Sequence, residues 1–185
     1  MDANYWKDGY KDSWPISAKK EEFIKNLIEM GTGYTVHLIG MGAGTTSYIP
    51  GNAADNKFIK GDADLYVEYA DSFVEVTGPN IKMPAQATLW IRPDKIENSI
   101  KKLSEGKGKL HVVTHVQDIK ESGEKSVRGV IIDSHFAERY RNGEFKIVKP
   151  FINGRTETYA EIQYNDPAVI SFETVIAELK KAAST

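Results

Sequence analysis

Cysteine is absent from the 185-residue chain. Thiol catalysis and a disulfide framework are thereby excluded, and any metal has to be held by oxygen or histidine ligands. No apolar run approaches the roughly 20 residues required to span a bilayer, so no membrane segment is expected. The opening stretch, MDANYWKDGYKDSWP, lacks the basic-then-apolar order of a secretory signal, and an intracellular, cytoplasmic protein is expected. Excess positive charge is missing too. Lys and Arg total 24 against 26 Asp and Glu, a formal charge of -2, which argues against coating nucleic acid by bulk electrostatics and leaves only a local basic face. Lys101, Lys102, Lys107 and Lys109 form one such cluster, and Lys180 and Lys181 a smaller one. Solvated helix ends account for both at least as well.

The length suits a single domain with a sizeable core, and 41% hydrophobic with 27% charged residues is ordinary for a globular chain. Phe23, Ile24, Leu27 and Ile28 recur at helical spacing, predicting a helix over 17–30 with Ser17 as N-cap and Gly31 as stop. A β-like run at 34–39 precedes GMGAGTTSYIPGNAADNK, a segment too broken for a long element. The region 40–60 is expected to be a mobile loop that orders on substrate. Two short β runs, 65–69 and 73–77, are separated by Ala70-Asp71-Ser72 and predict an antiparallel hairpin. Pro93 in a first turn, with Ile96, Ile100 and Leu103 as the apolar stripe, predicts a helix over 93–103. A strand at 110–116 follows, then β runs at 127–132, 145–151 and 157–164, and an amphipathic helix over 172–181. Residues 1–16 form an N-terminal arm, 17–116 a core and 117–185 a β-rich C-terminal addition.

Within the hairpin, KGDADLYVEYADSFVEVTGPN places Asp64 at the start of one strand and Glu75 inside the next, between large apolar neighbours. Pairing about the turn can bring both carboxylates to one end of the sheet. Such oxygen ligands suit Mg²⁺, which takes one or two carboxylates, waters and substrate phosphate oxygens. A metal there would activate water for in-line attack on a phosphodiester. The bland alternative is that Asp64 caps a turn and Glu75 pairs with a lysine on a sheet edge.

A helix with an early glutamate, a Gly-rich loop, GDADLYV, a hairpin, FVEVTG, then a helix and a strand together resemble the PD-(D/E)XK nuclease superfamily, which includes many restriction endonucleases and the archaeal Holliday-junction resolvases. The resemblance spans roughly 17–116. It implies an α/β, restriction endonuclease-like core with a central mixed sheet flanked by helices, Mg²⁺- or Mn²⁺-dependent phosphodiesterase activity and DNA as substrate. By the same resemblance Asp64 and Glu75 are metal ligands and Glu21 an accessory catalytic carboxylate, with Glu22 as its alternative. Thr77 stands where the family usually has the lysine that positions the attacking water. Either a neighbouring cation substitutes, the activity is altered, or the protein binds DNA or junctions without cutting. Lys82 is the nearest lysine after the motif. A protein binding a small ligand or a partner, with structural hairpin carboxylates, is the third reading. Cutting two strands needs two sites, so a homodimer is expected.

Gly40-Met-Gly42-Ala-Gly44 after a strand offers a dinucleotide-binding rival, but no phosphate-binding helix should follow it, and no Lys-Ser or Lys-Thr pair makes it a P-loop. His111 and His115, four apart in a strand, would sit about 13 Å apart on one face, too far to share an ion. Structural roles are expected for them and for His37 and His135. Tyr5, Trp6, Tyr10 and Trp14 are expected to pack as an arm over the core or a partner.

Overall fold

Ile24 and Ile28, one helical turn apart and fully buried, define the inward stripe of helix α1 (Trp14–Thr32). The computed structural model describes residues 14–39, 63–152 and 154–185. The segment 40–60, the Gly40–Gly44 run and the aromatics Tyr5, Trp6 and Tyr10 lie outside the described residues. α1 begins three residues before Ser17, with Pro15 in its first turn, so Ser17 is inside the helix rather than its N-cap. Gly33, at φ 77°, ends it by taking the left-handed conformation that glycine adopts without strain.

Strands β1 (Val36–Leu38), β2 (Leu65–Val67) and β3 (Ser72–Thr77) follow. The predicted hairpin is present: β2 and β3 pair antiparallel with Leu65 opposite Val74 and Val67 opposite Ser72. Asp71, at φ 44°, makes the turn and accepts a hydrogen bond from the Tyr66 hydroxyl at 2.9 Å. β4 (Leu89–Ile91) occupies the stretch that carried no clear sequence signal. Helix α2 (Pro93–Ser104) then returns the chain to β5 (Leu110–Asp118), which runs parallel to β3.

The remainder is β6 (Lys125–Ile131), α3 (Ser134–Arg141), β7 (Lys146–Val148), β8 (Phe151–Ile152), β9 (Arg155–Thr156), β10 (Tyr159–Ile162), β11 (Val169–Ser171) and α4 (Phe172–Ser184). The central sheet has the order β1-β2-β3-β5-β6-β11, so the protein is α/β with a mixed sheet flanked by helices. The C-terminal part is less of an appendage than its β-rich sequence suggests. β6 and β11 complete the main sheet, while β4 joins β10 and β7 in a second, three-stranded sheet. α3 was not anticipated, because eight residues with little apolar periodicity give almost no helical signal; its cap is Asp133, whose side chain accepts from the Phe136 amide.

Two cores lie on opposite faces of the sheet. On one, Val74, Val112 and Val116 meet Ile24 and Ile28 of α1 and Val175 and Leu179 of α4. On the other, Val113 and Val130 meet Ile96 of α2, Phe136 of α3 and Leu89, Ile91, Ala160 and Ile162 of the small sheet. Because strand side chains alternate, Val74 and Val76 serve the first core and Phe73, Glu75 and Thr77 point the other way. Each fully buried Ile or Leu contributes about 1.5–3 kcal/mol, so both faces of the central strands are under strong selection for apolar residues. Glu75 departs from that rule. Among the described residues no helix is long and apolar enough to cross a membrane.

Gly78 ends β3 at φ 142°, where a Cβ would stand 1.9 Å from the Val116 carbonyl oxygen. Gly78→Ala is therefore expected to lower stability by at least about 2 kcal/mol through backbone strain and the clash with β5, measured by urea unfolding.

Candidate functional site

The hairpin fixes the first two groups of the site. Asp64 precedes β2, and its Oδ2 accepts a hydrogen bond from the Val76 amide at 2.8 Å, tying the carboxylate to the neighbouring strand. Its own carbonyl accepts from the Ile39 amide at 2.9 Å, so Asp64 is pinned between β1 and β3. Glu75 lies in β3, third in the sheet order, and its carbonyl accepts a hydrogen bond from Thr114 Oγ1 at 3.0 Å. Asp64 stands opposite Glu75 in the register of the hairpin, close enough for its charge to act on the Glu75 carboxyl. Asp64 and Glu75 are thus brought together, as the hairpin register predicts.

The third group comes from α2. Lys95, in its first turn, places Nζ 2.9 Å from Glu75 Oε1 and 3.0 Å from Oε2. The Glu75 side chain is 10% exposed and that of Lys95 19%, so this is a largely buried pair on an interior strand, not a surface pair at a sheet edge. Lys82, the lysine nearest the motif in sequence, is exposed. Thr77 is half-buried, two residues beyond Glu75 on the same face and opposite His115 of β5.

Burial first, and then the Asp64 charge, push the Glu75 carboxyl up to about 8 against the attraction of Lys95. Burial pulls Lys95 down, but Glu75 and Asp64 more than offset it and hold the ammonium charged well beyond its ordinary range. Glu75 therefore holds its proton to near neutrality beside a charged Lys95.

Glu21 is buried on α1, 8% exposed, whereas Glu22 is exposed. Among the described residues no group of three or more His, Asp or Glu side chains is gathered closely enough to hold an ion, so Glu21 does not join Asp64 and Glu75 in a three-carboxylate site. The adjacent Lys20 instead fastens α1 to the end of β3, donating to the carbonyls of Gly78 and Pro79 and to Asn80 Oδ1, each at 2.8 Å. Among the histidines, His111 and His115 are buried on one face of β5. His111 Nε2 donates to the Lys107 carbonyl at 2.8 Å and the ring stacks on Phe73, while burial, then Arg128 and Lys20, push His115 down to about 3. Both are neutral at physiological pH. His37 pairs with Glu68 at the surface, and His135 is exposed.

Glu75 and Lys95 open into a cleft bounded by Phe73, Ser99, Lys102 and His111. It holds about 10 Å³ of interior space, room for one water. Lys95 is the residue that sequence reasoning missed. It lies 20 positions beyond Glu75, and its only signal is its place on the polar stripe of α2, between the apolar positions Ile96, Ile100 and Leu103. Compared with protein families and curated proteins, the chain matches no family model and no curated protein.

Because Glu75 takes up its proton well above the ordinary carboxylate value of 4.5, its contribution to stability is full below about 4.5 and is lost as pH rises through about 8. Glu75→Gln, which cannot ionise, is expected to become progressively more stable relative to wild type between pH 5 and pH 8.5. Thermal melts across that window test it, and parallel curves for the two proteins would refute the raised value.

Proposed function

We propose that this chain is a divalent-metal-dependent DNA nuclease of the PD-(D/E)XK kind, with Asp64 and Glu75 as metal ligands and Lys95 in place of the lysine missing at Thr77. The observation that carries the reading is the contact of Lys95 Nζ with both Glu75 oxygens. A cation is thereby supplied next to the acidic pair from the helix that follows the hairpin. The element order supports it as well. A first helix is followed by an antiparallel hairpin and a helical crossover to a strand parallel with β3.

Asp64 and Glu75 suit Mg²⁺ or Mn²⁺: Glu75, which burial and then the Asp64 charge keep protonated, would release its proton to a dication, and waters and phosphate oxygens would complete the coordination. When bound, the ion supplies Lewis-acid stabilisation of phosphate charge and a more acidic water. Lys95 holds its positive charge beside Glu75, where negative charge develops during phosphodiester cleavage. The Val76 amide fixes Asp64, and the hydrogen-bonded Glu75 carbonyl fixes the strand that carries the second ligand. Thr77 supplies a hydroxyl on the same face as Glu75, and Glu21, carried by α1 and not gathered with the two carboxylates, has no part in this reading.

A purely structural role is the competing account. It fits poorly with energetics, since a buried ion pair is often no more stabilising than apolar residues of the same volume, and here a second carboxyl makes the cost greater. Perturbed acids beside a cation in a cleft are what functional sites require. A small-ligand pocket is disfavoured by size, because the cleft holds one water whereas ligand sites usually need about 300–1,000 Å³.

Single-turnover cleavage of branched, single-stranded and duplex DNA with and without Mg²⁺ or Mn²⁺ tests the proposal. Lys95→Met is expected to slow cleavage about 10²- to 10³-fold while leaving DNA binding largely intact, since a transition-state charge contact is lost. Glu75 can protonate when its partner is removed, so the variant should still fold, which a melt will report. Glu75→Ala and Asp64→Ala should abolish cleavage, and Thr77→Ala should alter it less than about tenfold. Cleavage that survives Glu75→Ala, or is independent of divalent ions, would reject the site.

Metal affinity provides a separate readout. Calorimetry should show Mn²⁺ binding that strengthens from pH 6 to pH 8.5 with proton release, as Glu75 loses its proton, and that disappears in Asp64→Ala.

A further inference from the structure

The short strands β8 and β9 belong to neither of the larger sheets. Phe151 stands opposite Thr156 and Ile152 opposite Arg155, and among the described residues this ribbon pairs with nothing else. The Glu157 amide closes its base on the Pro150 carbonyl at 3.0 Å. Side chains alternate across a strand, so Ile152, half-buried, faces one side of the ribbon and Phe151 the other. Phe151 is 75% exposed. A single phenyl in solvent is ordinary on a protein surface, and its position is what matters here.

β7 and β10 lead into and out of the ribbon, with Val148 opposite Tyr159. Continued by one residue, the pairing of β10 with β4 sets Tyr159 opposite Arg92, the residue before α2. The ribbon therefore emerges from the end of the small sheet at which α2 begins, and in the first turn of that helix Lys95 reaches Glu75. Two strand spacings separate Arg92 from Val148, about 10 Å, and the three residues on to Phe151 add about 10 Å at most. Phe151 thus lies within about 20 Å of the start of α2, about six base steps of duplex at about 3.4 Å each. Lys149, between Val148 and Phe151, is exposed, and its ammonium makes no ion pair or hydrogen bond among the described residues. Lys146, also exposed, is held loosely by Glu161 at 3.9 Å.

A phenyl offered beside such cations suits a polyanion with flat apolar faces, and stacked bases between phosphates have that chemistry. We propose that Phe151 inserts between two neighbouring bases of the bound DNA, with Lys149 on an adjacent phosphate, so that the chain favours DNA whose stacking is already interrupted by a nick, a mismatch or a branch. A wedge pays least for unstacking where the stack is already broken, and the preference arises there. Phe151 is a specificity residue in this scheme, which rests on the nuclease reading above.

The test uses the full chain, a continuous duplex, and duplexes of the same sequence carrying a nick, a mismatch or a branch, with the fluorescent base 2-aminopurine at each position near the interruption in turn. Binding is measured in EDTA and single-turnover cleavage in Mn²⁺, with a thermal melt for each variant. Wild type should bind the interrupted duplexes more tightly and change the fluorescence at one position. Phe151→Ala should weaken binding to interrupted DNA about tenfold, as expected for one lost base stack, and abolish that fluorescence change. Its melt should match wild type, since the ring is exposed, and Phe151→Trp should keep the preference. Lys149→Met should weaken binding to every duplex alike and make the salt dependence shallower by about one phosphate contact. A wild type without a preference for interrupted DNA, or a Phe151→Ala protein that keeps the wild-type preference and fluorescence profile, overturns this inference and leaves the nuclease reading standing. So does a Phe151→Ala protein changed in its oligomeric state alone, because the ring would then face a second copy of the chain. A wild type that neither binds nor cuts any DNA would remove both.

Discussion

An acid placed on the third strand of a six-stranded sheet has to be answered by a neighbour, and Lys95 answers Glu75. The rest of the site is arranged around that contact. It requires α2 to start where it does, with Pro93 at the first helical position and Lys95 in the opening turn over β3. It requires β3 to show Glu75 to the side away from α1, which the hairpin register sets, since a slip of one residue would turn the carboxylate into the first core. Asp64 enforces the same register from the other strand by accepting from the Val76 amide.

The two faces of the sheet carry different duties. The side covered by α1 and α4 is filled mainly by apolar residues, and its buried hydroxyls, Ser72 and Thr114, are satisfied by the carbonyls of Ala70 and Glu75. The opposite side combines an aliphatic centre, built from Val113, Val130 and the small sheet, with a polar margin that runs through Glu75, Thr77, His111, His115 and Gln117. His111 Nδ1, His115 Nδ1 and Gln117 Oε1 are buried without a hydrogen-bond partner among the described residues. Three such groups along one strand are costly, at about 1–3 kcal/mol each when unsatisfied, and they mark β5 as a strand whose sequence is not tuned for stability alone.

Much of this layout was legible in the sequence. The hairpin followed from two β-rich runs around Ala70-Asp71-Ser72, and α2 from Pro93 and the spacing of Ile96, Ile100 and Leu103. The oddity of Glu75 among Phe73, Val74 and Val76 already singled out the position that the structure buries. What periodicity could not reveal was which side chain of α2 lies over which residue of β3. That depends on the angle and height at which the helix crosses the sheet, and so Lys95 looked like any other lysine in a first turn. In the C-terminal region β6 and α4 were legible, whereas β11, three residues long, reads as a loop until its pairing with β6 is seen. Glu21 is in its helix as anticipated and buried, yet helical phase alone says nothing of its distance from the hairpin.

The bond from the Val76 amide to Asp64 has a consequence for how the protein is built in time. It spans 12 residues, and the contact of Lys95 with Glu75 spans 20, so both are made by neighbours in the chain, whereas the sheet that shields them is closed by strands from its far end. Loop-closure entropy grows only slowly with length, but it is smallest for such near pairings. The acidic pair and Lys95 thus come from one continuous stretch of chain, 63 to 104, and their contacts with one another close short loops.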